Sequence, residues 1–324
     1  MSRKALVIGI NDYTSCPLRG CVNDATEVFK LLQHNADGSP NFGVNLNTSI
    51  KTRSELSTAV SQLFSGTDDI ALLYFSGHGY INELGGFIVT PDHSKYDEGV
   101  SMNDILQWAN RSKCKNKIII FDCCHAGAMG TEPSNITDAS SIGAGLTVLT
   151  ASGQHESAIE INGHGVFTNL LLTALEGGAA DLKGEVSPGG IYAYIDKALA
   201  EWEQRPMFKT NISSFVSLRS TDPPIPQQVI RYIANLFPNR DDEYQLNPSY
   251  EFTNTPEGQP QNPVEPYATP DHVRIFKELQ LLERVGLIVP VGEEHMYFAA
   301  MNKKSCKLTP IGQHYWNLVN KNRF

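Results

Sequence analysis

Four continuous apolar runs occur in the first two-thirds of the chain: Lys4–Ile10, Ile70–Phe75, Lys117–Phe121 and Leu146–Ala151. Strands that are buried on both faces of a sheet have this pattern, whereas strands with one face in water alternate apolar and polar residues. Segments with helical spacing separate the runs, so strands and helices alternate along the chain. This order predicts an α/β fold with a mostly parallel sheet covered by helices.

The helical segments have apolar residues that recur every three or four positions. The segment Thr52–Leu63 also begins with a Thr that is followed three residues later by Glu55, which is the sequence of a capping box. A final strand is predicted over Asn211–Leu218. The other helices predicted in this part of the chain are Asn23–His34, Asn103–Asn110, Val166–Leu175 and Ile191–Trp202.

The sequence changes in character after Ser220. A length of 324 residues suits two domains, and residues 239–271 contain six of the 18 prolines, a density typical of an extended linker. A helix over Ile225–Phe237 is predicted to precede this linker. We therefore expect a first domain over residues 1–220, a helix and Pro-rich linker over 221–270, and a small terminal domain over 271–324.

The terminal domain is predicted to contain a helix, a hairpin and a second helix. The helices are Pro270–Val285 and Thr309–Val319, and the hairpin strands are Leu287–Val291 and His295–Ala300. This order resembles part of a winged-helix domain. Winged helices can bind DNA, but the first helix balances three basic against three acidic side chains, so nucleic acid is not the expected partner. An activating protein partner is expected instead.

The charge balance limits the other partners. The chain has 26 Lys and Arg against 35 Asp and Glu, a formal net charge of −9, which argues against coating nucleic acid or an anionic membrane. The apolar runs are far shorter than the ~20 residues that span a bilayer, and the N-terminal run is too short for a signal peptide. A cytoplasmic protein with reduced cysteines is therefore expected, and no CxxC pair indicates a zinc or redox motif.

Residues that can carry chemistry follow two of the apolar runs directly. Ser76-Gly77-His78-Gly79 follows the second run, and Asp122-Cys123-Cys124-His125-Ala126-Gly127 follows the third. Parallel strands place their carboxyl ends at one edge of the sheet, where ligands bind, so a His and a Cys placed there can meet. A thiolate is the nucleophile in such a pair and the imidazole helps to generate it.

Three motifs, in order, resemble the caspase family and in particular its metacaspase branch. They are "ALVIGINDY…LRGCVNDA", "LLYFSGHG" and "IIIFDCCHAG", and the resemblance covers residues 4–218. It implies a caspase-like α/β/α sandwich and a cysteine endopeptidase that forms an acyl-enzyme. The resemblance to bacterial members with small appended domains implies a regulated effector in antiviral defence or programmed cell death.

The resemblance also implies residue roles. Cys124 matches the nucleophile and His78 the general base and acid, and the backbone N–H groups of Gly79 and Cys124 match the oxyanion hole. Asp24 and Asp122, with Cys21 and Ser76 beside them, match the S1 pocket that accepts Arg or Lys at P1. The segment Ala151–Glu160 resembles the strand that lines the substrate groove.

Several alternatives stay open from the residues alone. Cys123 could be the nucleophile in place of Cys124, because neighbouring strand residues face opposite ways and one of them should face His78. Asp24 could merely cap a helix. The whole domain could be a catalytically idle scaffold that acts through the C-terminal domain.

Two further expectations concern calcium and self-cleavage. Many metacaspases need Ca²⁺, but residues 80–100 contain only four scattered acids, so no cofactor or metal ligand is assigned and Ca²⁺ is kept as an alternative. From Ile118 to Leu182 there is no Lys or Arg, so an enzyme specific for basic P1 residues is expected to remain a single chain there.

Overall fold

The computed structural model of the chain describes residues 1–83, 85–94, 97–123, 142–151, 160–161, 164–199, 206–257 and 263–324. The chain divides into two units, Met1–Asp222 and Pro223–Phe324. The strands and α-helices of the first unit are β1 (Arg3–Gly9), α1 (Cys21–Gln33), β2 (Gly43–Asn47), α2 (Arg53–Phe64), β3 (Ile70–Ser76), β4 (Gly79–Asn82), β5 (Gly85–Ser94), β6 (Asp97–Ser101), α3 (Met102–Arg111), β7 (Asn116–Asp122), β8 (Leu146–Thr150), β9 (Glu160–Ile161), β10 (His164–Gly165), α4 (Val166–Thr173), β11 (Glu185–Val186), α5 (Pro188–Ala198), β12 (Met207–Asn211) and β13 (Arg219–Ser220).

A six-stranded sheet forms the centre of this unit. Its strand order is β12-β8-β7-β3-β1-β2, in which β12 is antiparallel to its neighbour and the other strands are parallel. The four apolar runs are its buried strands, as predicted. In the register of β3 with its neighbours, Ser76 is paired with Gly9 of β1 and with Asp122 of β7, so these three residues form one row at the carboxyl edge of the sheet.

Successive side chains of a strand point to opposite faces of the sheet, so its apolar strands form two cores. Helices cover each of these cores. Phe75 and Phe121 face a core that includes Leu56 of α2 and Ile105 of α3. Tyr74 and Ile120 face the other core, which includes Ala25 of α1, Phe167 of α4 and Ile191 of α5. The predicted mostly parallel α/β architecture is confirmed.

Several predicted elements differ in the structure. The strand predicted over Asn211–Leu218 is wrong: β12 ends at Asn211, and it is Met207–Asn211 that pairs with β8. Three strands that the sequence analysis did not predict, β4 to β6, form a separate antiparallel sheet after His78. Their residues lack a continuous apolar run, and burial is mixed along each strand.

The second unit contains five α-helices and three strands within its described residues. They are α6 (Gln227–Arg231), α7 (Ile233–Leu236), β14 (Glu243–Gln245), α8 (Pro270–Arg284), β15 (Ile288–Val291), α9 (Met296–Met301), β16 (Ser305–Leu308) and α10 (Pro310–Asn320). The strands form a sheet in the order β14-β16-β15. The hairpin strand predicted over His295–Ala300 is wrong, since this segment forms α9 with Met296, Ala299 and Ala300 buried at helical spacing.

The Pro-rich segment differs from an extended linker. Tyr250 is buried and its ring stacks on His272 of α8 at a centroid distance of 4.2 Å. Asn254 is fully buried, and its side-chain nitrogen lies 3.0, 2.8 and 3.2 Å from the carbonyl oxygens of Pro248, Val264 and Pro266. The two amide hydrogens are thus shared among three carbonyl groups of this Pro-rich segment. The predicted helix Ile225–Phe237 is divided into α6 and α7 at Tyr232.

The helices of the described residues include none that combines the length and the apolar character needed to cross a membrane.

Candidate active site

The loop between β1 and α1 forms one wall of the site, and Asn11 fixes its shape. The Asn11 carbonyl oxygen accepts hydrogen bonds from the backbone N–H groups of Tyr13 and Leu18. Its side-chain oxygen accepts from the N–H of Val22, and its side-chain amide donates to the carbonyl of Arg19. An Asn whose backbone and side chain both bond within the loop holds a turn without regular secondary structure.

His78 lies at the carboxyl edge of the sheet, two residues beyond the end of β3. Its Nε2 lies 2.6 Å from the carbonyl oxygen of Cys16 in the β1–α1 loop. A carbonyl oxygen can only accept, so Nε2 carries the hydrogen and the neutral imidazole has its lone pair on Nδ1. The loop therefore sets both the orientation of the ring and the nitrogen that is able to take a proton.

Tyr13 contacts His78 through a hydrogen bond and through its ring. Its hydroxyl accepts a hydrogen bond of 3.0 Å from the backbone N–H of His78 and lies 3.3 Å from the carbonyl oxygen of Val89, to which it donates. The two rings are packed at a centroid distance of 4.5 Å. Burial raises the pKa of the Tyr13 phenol well above its usual range, so the hydroxyl stays protonated and able to donate.

Gly77 is required by this packing. A Cβ at position 77 would lie 2.6 Å from the Tyr13 hydroxyl and 2.7 Å from the Phe75 ring, closer than van der Waals contact allows. The missing side chain lets Tyr13 approach the backbone that carries His78. The close packing of Tyr13 therefore explains why the residue before His78 is a glycine.

Two buried carboxylates lie at the same edge, on the face that α1 and α4 cover. Asp24 is 1% exposed and Asp122 is 5% exposed. Asp24 accepts hydrogen bonds from the Gly165 N–H at 3.1 Å and from the Ser76 hydroxyl at 3.5 Å. Gly165 also borders Asp122, because a Cβ at position 165 would lie 2.4 Å from its Oδ2 atom. One glycine thus lies against both carboxylates.

A chain of two hydroxyl groups leads from the core to Asp122. The Thr168 hydroxyl donates to Asp122 Oδ2 at 2.6 Å and lies 2.6 Å from the Tyr74 hydroxyl. Burial raises the pKa of the Tyr74 phenol, and the nearby charges of Asp122 and Asp24 raise it further, so this hydroxyl is a proton donor. Tyr74 therefore donates to Thr168, and Thr168 donates to the carboxylate.

The structure brings most of the predicted site residues together at one edge of the sheet. Asp24 accepts from both Ser76 and Gly165, Gly165 also borders Asp122, and Cys21 is buried one helical turn before Asp24 in α1. Gly79 begins β4 and, with His78, lines a cleft of about 570 Å³. Cys124 lies outside the described residues, as does the predicted groove segment Ala151–Glu160 apart from its two ends. Cys123 is fully buried in the apolar core beside α2 and α3.

Sequence reasoning did not find Tyr13, Gly165 or Thr168. Tyr13 lies inside the first quoted motif but carried no chemical signal of its own. Thr168 lies in the apolar sequence of α4, where a threonine is ordinary. Within the described ranges, no three His, Cys, Asp or Glu side chains are grouped closely enough to hold a metal ion.

Comparison with known proteins gives the class to which this arrangement belongs. The family model of the caspase domain matches residues 2–216. This chain belongs to the caspase family. The match covers every element of the site described above.

Distant relatives place the chain near one branch of this family. It is 26% identical to metacaspase-3 of Trypanosoma cruzi over 149 residues, which are 39% of this chain and 40% of that protein. It is 30% identical to metacaspase-4 of Arabidopsis thaliana over 147 residues, or 40% of this chain and 34% of that one. The chain thus spans well under half the length of these two relatives.

A solved structure shares the fold. The crystal structure of protein GSU0716 from Geobacter sulfurreducens is similar with a TM-score of 0.52 and 15% identity, over 68% of this chain and all of that one. At this identity the likeness supports the fold alone.

Proposed function

We propose that this protein is a cysteine endopeptidase that cleaves peptide bonds after Arg or Lys. The observation that carries the proposal is the pair of buried carboxylates, Asp24 and Asp122, at the same sheet edge as His78. A guanidinium or ammonium group matches two carboxylates in charge and in hydrogen-bonding capacity. The segment from Ile118 to Leu182, which supplies Asp122, Gly165 and Thr168, contains no Lys or Arg.

In the proposed reaction, Cys124 is the nucleophile and His78 moves the proton. His78 takes the thiol proton, the thiolate attacks the scissile carbonyl carbon, and the backbone N–H groups of Gly79 and Cys124 stabilise the oxyanion. Collapse of the tetrahedral intermediate breaks the C–N bond, and His78 returns its proton to the leaving amine. Water then attacks the thioester, which releases the acid product and the free thiol.

The burial of Cys123 supports Cys124 as the nucleophile. The Cys123 side chain is fully buried in the core, so a peptide has no access to it. The bond from His78 Nε2 to the Cys16 carbonyl leaves Nδ1 of the neutral ring as the proton acceptor. In this arrangement the carbonyl plays the part that a carboxylate plays in a serine-protease triad, because it stabilises the imidazolium and fixes the tautomer.

The test compares hydrolysis of a peptidyl-Arg aminocoumarin by the wild type and by Cys124→Ala, with Cys123→Ala as the matched control. We expect turnover by the wild type and by C123A, and its loss in C124A. A peptide with Asp at P1 is expected to remain uncut. Equal rates for the wild type and C124A would overturn the proposal, and cleavage after Asp alone would overturn the P1 assignment.

We also propose that the second unit receives an activating protein partner, which would make the chain a regulated effector of the kind implied by its resemblance to bacterial family members. Exposed apolar side chains in this unit support the idea, since partner surfaces combine such groups with a polar surround. They are Val289, Phe298 and Ile311.

A further inference from the structure

A cleft next to His78 is not used by the function proposed above. It has a volume of about 570 Å³, large enough for one or two amino-acid side chains. His78 and Gly79 form its inner wall, and Ser15, His93 and Glu98 are among the residues that form the rest. Neither Asp24 nor Asp122 is among its described lining residues.

The cleft and the carboxylate pair lie on opposite faces of the sheet. Tyr13 and Val89, which line the cleft, belong to the core that α2 and α3 cover. Tyr74, which is linked to Asp122 through Thr168, belongs to the core that α1 and α4 cover. His78 lies at the sheet edge, between these two faces. A substrate whose P1 side chain lies beside the carboxylates therefore continues past His78 into the cleft.

The leaving group must lie on the cleft side. His78 protonates the amine of the departing peptide, so the first residues after the scissile bond are held next to its imidazole. When the P1 side chain lies beside Asp24 and Asp122, the residues after the scissile bond lie on the other side of His78. The cleft is the space that the described residues leave open there. Its lining therefore selects the side chains that follow the cleaved bond.

The charge of the lining is negative. His93 Nδ1 lies 3.1 Å from the Thr90 carbonyl oxygen, and its Nε2 lies 3.4 Å from the Ser15 hydroxyl. A neutral ring satisfies both contacts, with a hydrogen on Nδ1 and a lone pair on Nε2. The described lining contains no Lys or Arg, and Glu98, which is half-buried, forms no ion pair with a described residue. Glu98 is the one carboxylate among the described residues of these walls.

We propose that this cleft is a subsite for the residues after the scissile bond and that Glu98 selects a cationic side chain there. The inference rests on the proposed function and extends it. The preferred substrate then has a basic residue on each side of the cleaved bond, one bound by Asp24 and Asp122 and the other by Glu98.

The experiment uses two internally quenched peptides that differ at one position. Each has Arg before the scissile bond and Gly directly after it, and the second position after the bond is Lys in one peptide and Glu in the other. Mass spectrometry identifies the products, so that only cleavage after Arg is counted. We expect the wild type to cleave the Lys peptide about fivefold faster in kcat/KM, the scale set by partly exposed ion pairs, and we expect this preference to shrink as salt is added.

Two variants test whether Glu98 causes the preference for the Lys peptide. In Glu98→Gln the ratio of the two rates is expected to fall towards one. In Glu185→Gln, which removes the same charge from an exposed position in β11 outside the cleft lining, the wild-type ratio is expected to remain. Because each ratio is measured within one protein preparation, a loss of folded enzyme changes both rates equally.

The possible results separate this inference from the proposed function. If peptidyl-Arg aminocoumarin is cleaved but the two peptides are cleaved equally, the subsite is overturned and the peptidase proposal stands. A preference that survives unchanged in E98Q also overturns the role of Glu98. If no Arg substrate is cleaved at all, both proposals fall together.

Discussion

Tyr13 contacts the candidate base through its ring and through its hydroxyl. The hydroxyl accepts from the His78 backbone N–H and donates to the Val89 carbonyl, so it connects the base to strand β5. In Tyr13→Phe the ring packing is kept and both backbone groups lose a partner. We expect a stability loss of about 1–3 kcal/mol in chemical denaturation and a kcat roughly tenfold lower, because small displacements of a base reduce the rate steeply.

The kinetic pattern distinguishes positioning from general damage. Since Tyr13 packs in the core on the opposite face of the sheet from the carboxylate pair, Y13F is expected to lower kcat for an Arg substrate and to leave KM close to that of the wild type. Tyr192→Phe removes a hydroxyl from a ring that stacks on Phe208, outside the site, and serves as the control. A Y13F enzyme with full kcat would show that His78 is held in place without this hydroxyl.

Thr168 is expected to affect substrate binding more than turnover. Its hydroxyl lies between the Tyr74 phenol and Asp122 at 2.6 Å from each. Thr168→Val keeps the shape and removes the donor to the carboxylate, which leaves the buried Tyr74 hydroxyl without that acceptor. We expect KM for a P1-Arg substrate to rise roughly tenfold, as a hydrogen bond to a charged group is worth about 1.5–3 kcal/mol.

The control for Thr168 is a second buried threonine. Thr147 has its hydroxyl 2.9 Å from that of Thr210, on strands β8 and β12. We expect Thr147→Val to reduce stability without changing KM. Equal KM values for T168V and the wild type would mean that this hydroxyl chain does not hold Asp122 in the geometry that binds substrate.

Sequence patterns indicate the candidate chemical groups of the site but not the residues that contact them. His78 and Asp122 directly follow apolar strands, where a polar residue attracts attention. Gly165 and Thr168 meet Asp24 and Asp122 only through the packing of α4 beside α1, and no local pattern encodes that contact. Positioning residues are ordinary in sequence because their role depends on what lies across the fold.

At the level of elements, prediction succeeded where a pattern is continuous. The strands β1, β3, β7 and β8 lie within a residue or two of their predicted bounds. The capping box of α2 is present, with the Thr52 side chain accepting from the Glu55 N–H and Glu55 bonding back to the Thr52 N–H. These features depend on neighbours in sequence or on complete burial, and both are visible in the residues alone.

Prediction failed where an element is only partly covered. The sheet of β4 to β6 and strand β2 have mixed sequences, because part of each strand faces water. Segment His295–Ala300 has aromatic residues that favour a strand, but the burial of Met296, Ala299 and Ala300 fits a helix. Tertiary packing decided these cases over local propensity.

The loop region around β5 and β6 bears on the calcium alternative. The Arg53 backbone N–H lies 3.1 and 3.2 Å from the two carboxylate oxygens of Asp92, and its guanidinium binds Asp97 at 2.7 Å. Two of the four acids in this region are thus already bonded by the start of α2. Calcium needs about six to eight oxygen ligands, so we expect EGTA to leave hydrolysis of a P1-Arg substrate unchanged.

The measurement compares kcat/KM after EGTA treatment with values in added Ca²⁺ and in added Mg²⁺ as the control for ionic effects. Similar rates in all three conditions are expected. Strict activation by Ca²⁺ but not Mg²⁺ would contradict this expectation and assign the chain to the calcium-dependent type of metacaspase.

For the molecule as a whole, the distribution of basic residues predicts an uncut enzyme. No Lys or Arg occurs from Ile118 to Leu182, the span that holds most of β7 and the segment after it. An enzyme specific for basic P1 residues cannot cut itself there. We expect the active protein to keep this span intact, as measured by intact mass and by N-terminal sequencing of any fragments.

Self-cleavage is expected only near basic residues outside that span, such as Lys95, Arg111 or Lys183. The C124A protein, prepared in the same way, distinguishes self-cleavage from cutting by host proteases. A fragment that begins between Ala126 and Gly145 in the wild type alone would contradict either the P1 specificity or the single-chain enzyme.

The bond between Asp24 and the Gly165 amide joins positions 141 residues apart. A ribosome makes the chain from its N-terminus, so the strands that carry His78 and Asp122 leave it well before Gly165 and α4 do. Contacts between such distant positions also form slowly during folding. A newly made molecule therefore completes the surroundings of Asp24 only after most of its first unit has been synthesised, and a chain that ends before Gly165 lacks one of the donors to this carboxylate.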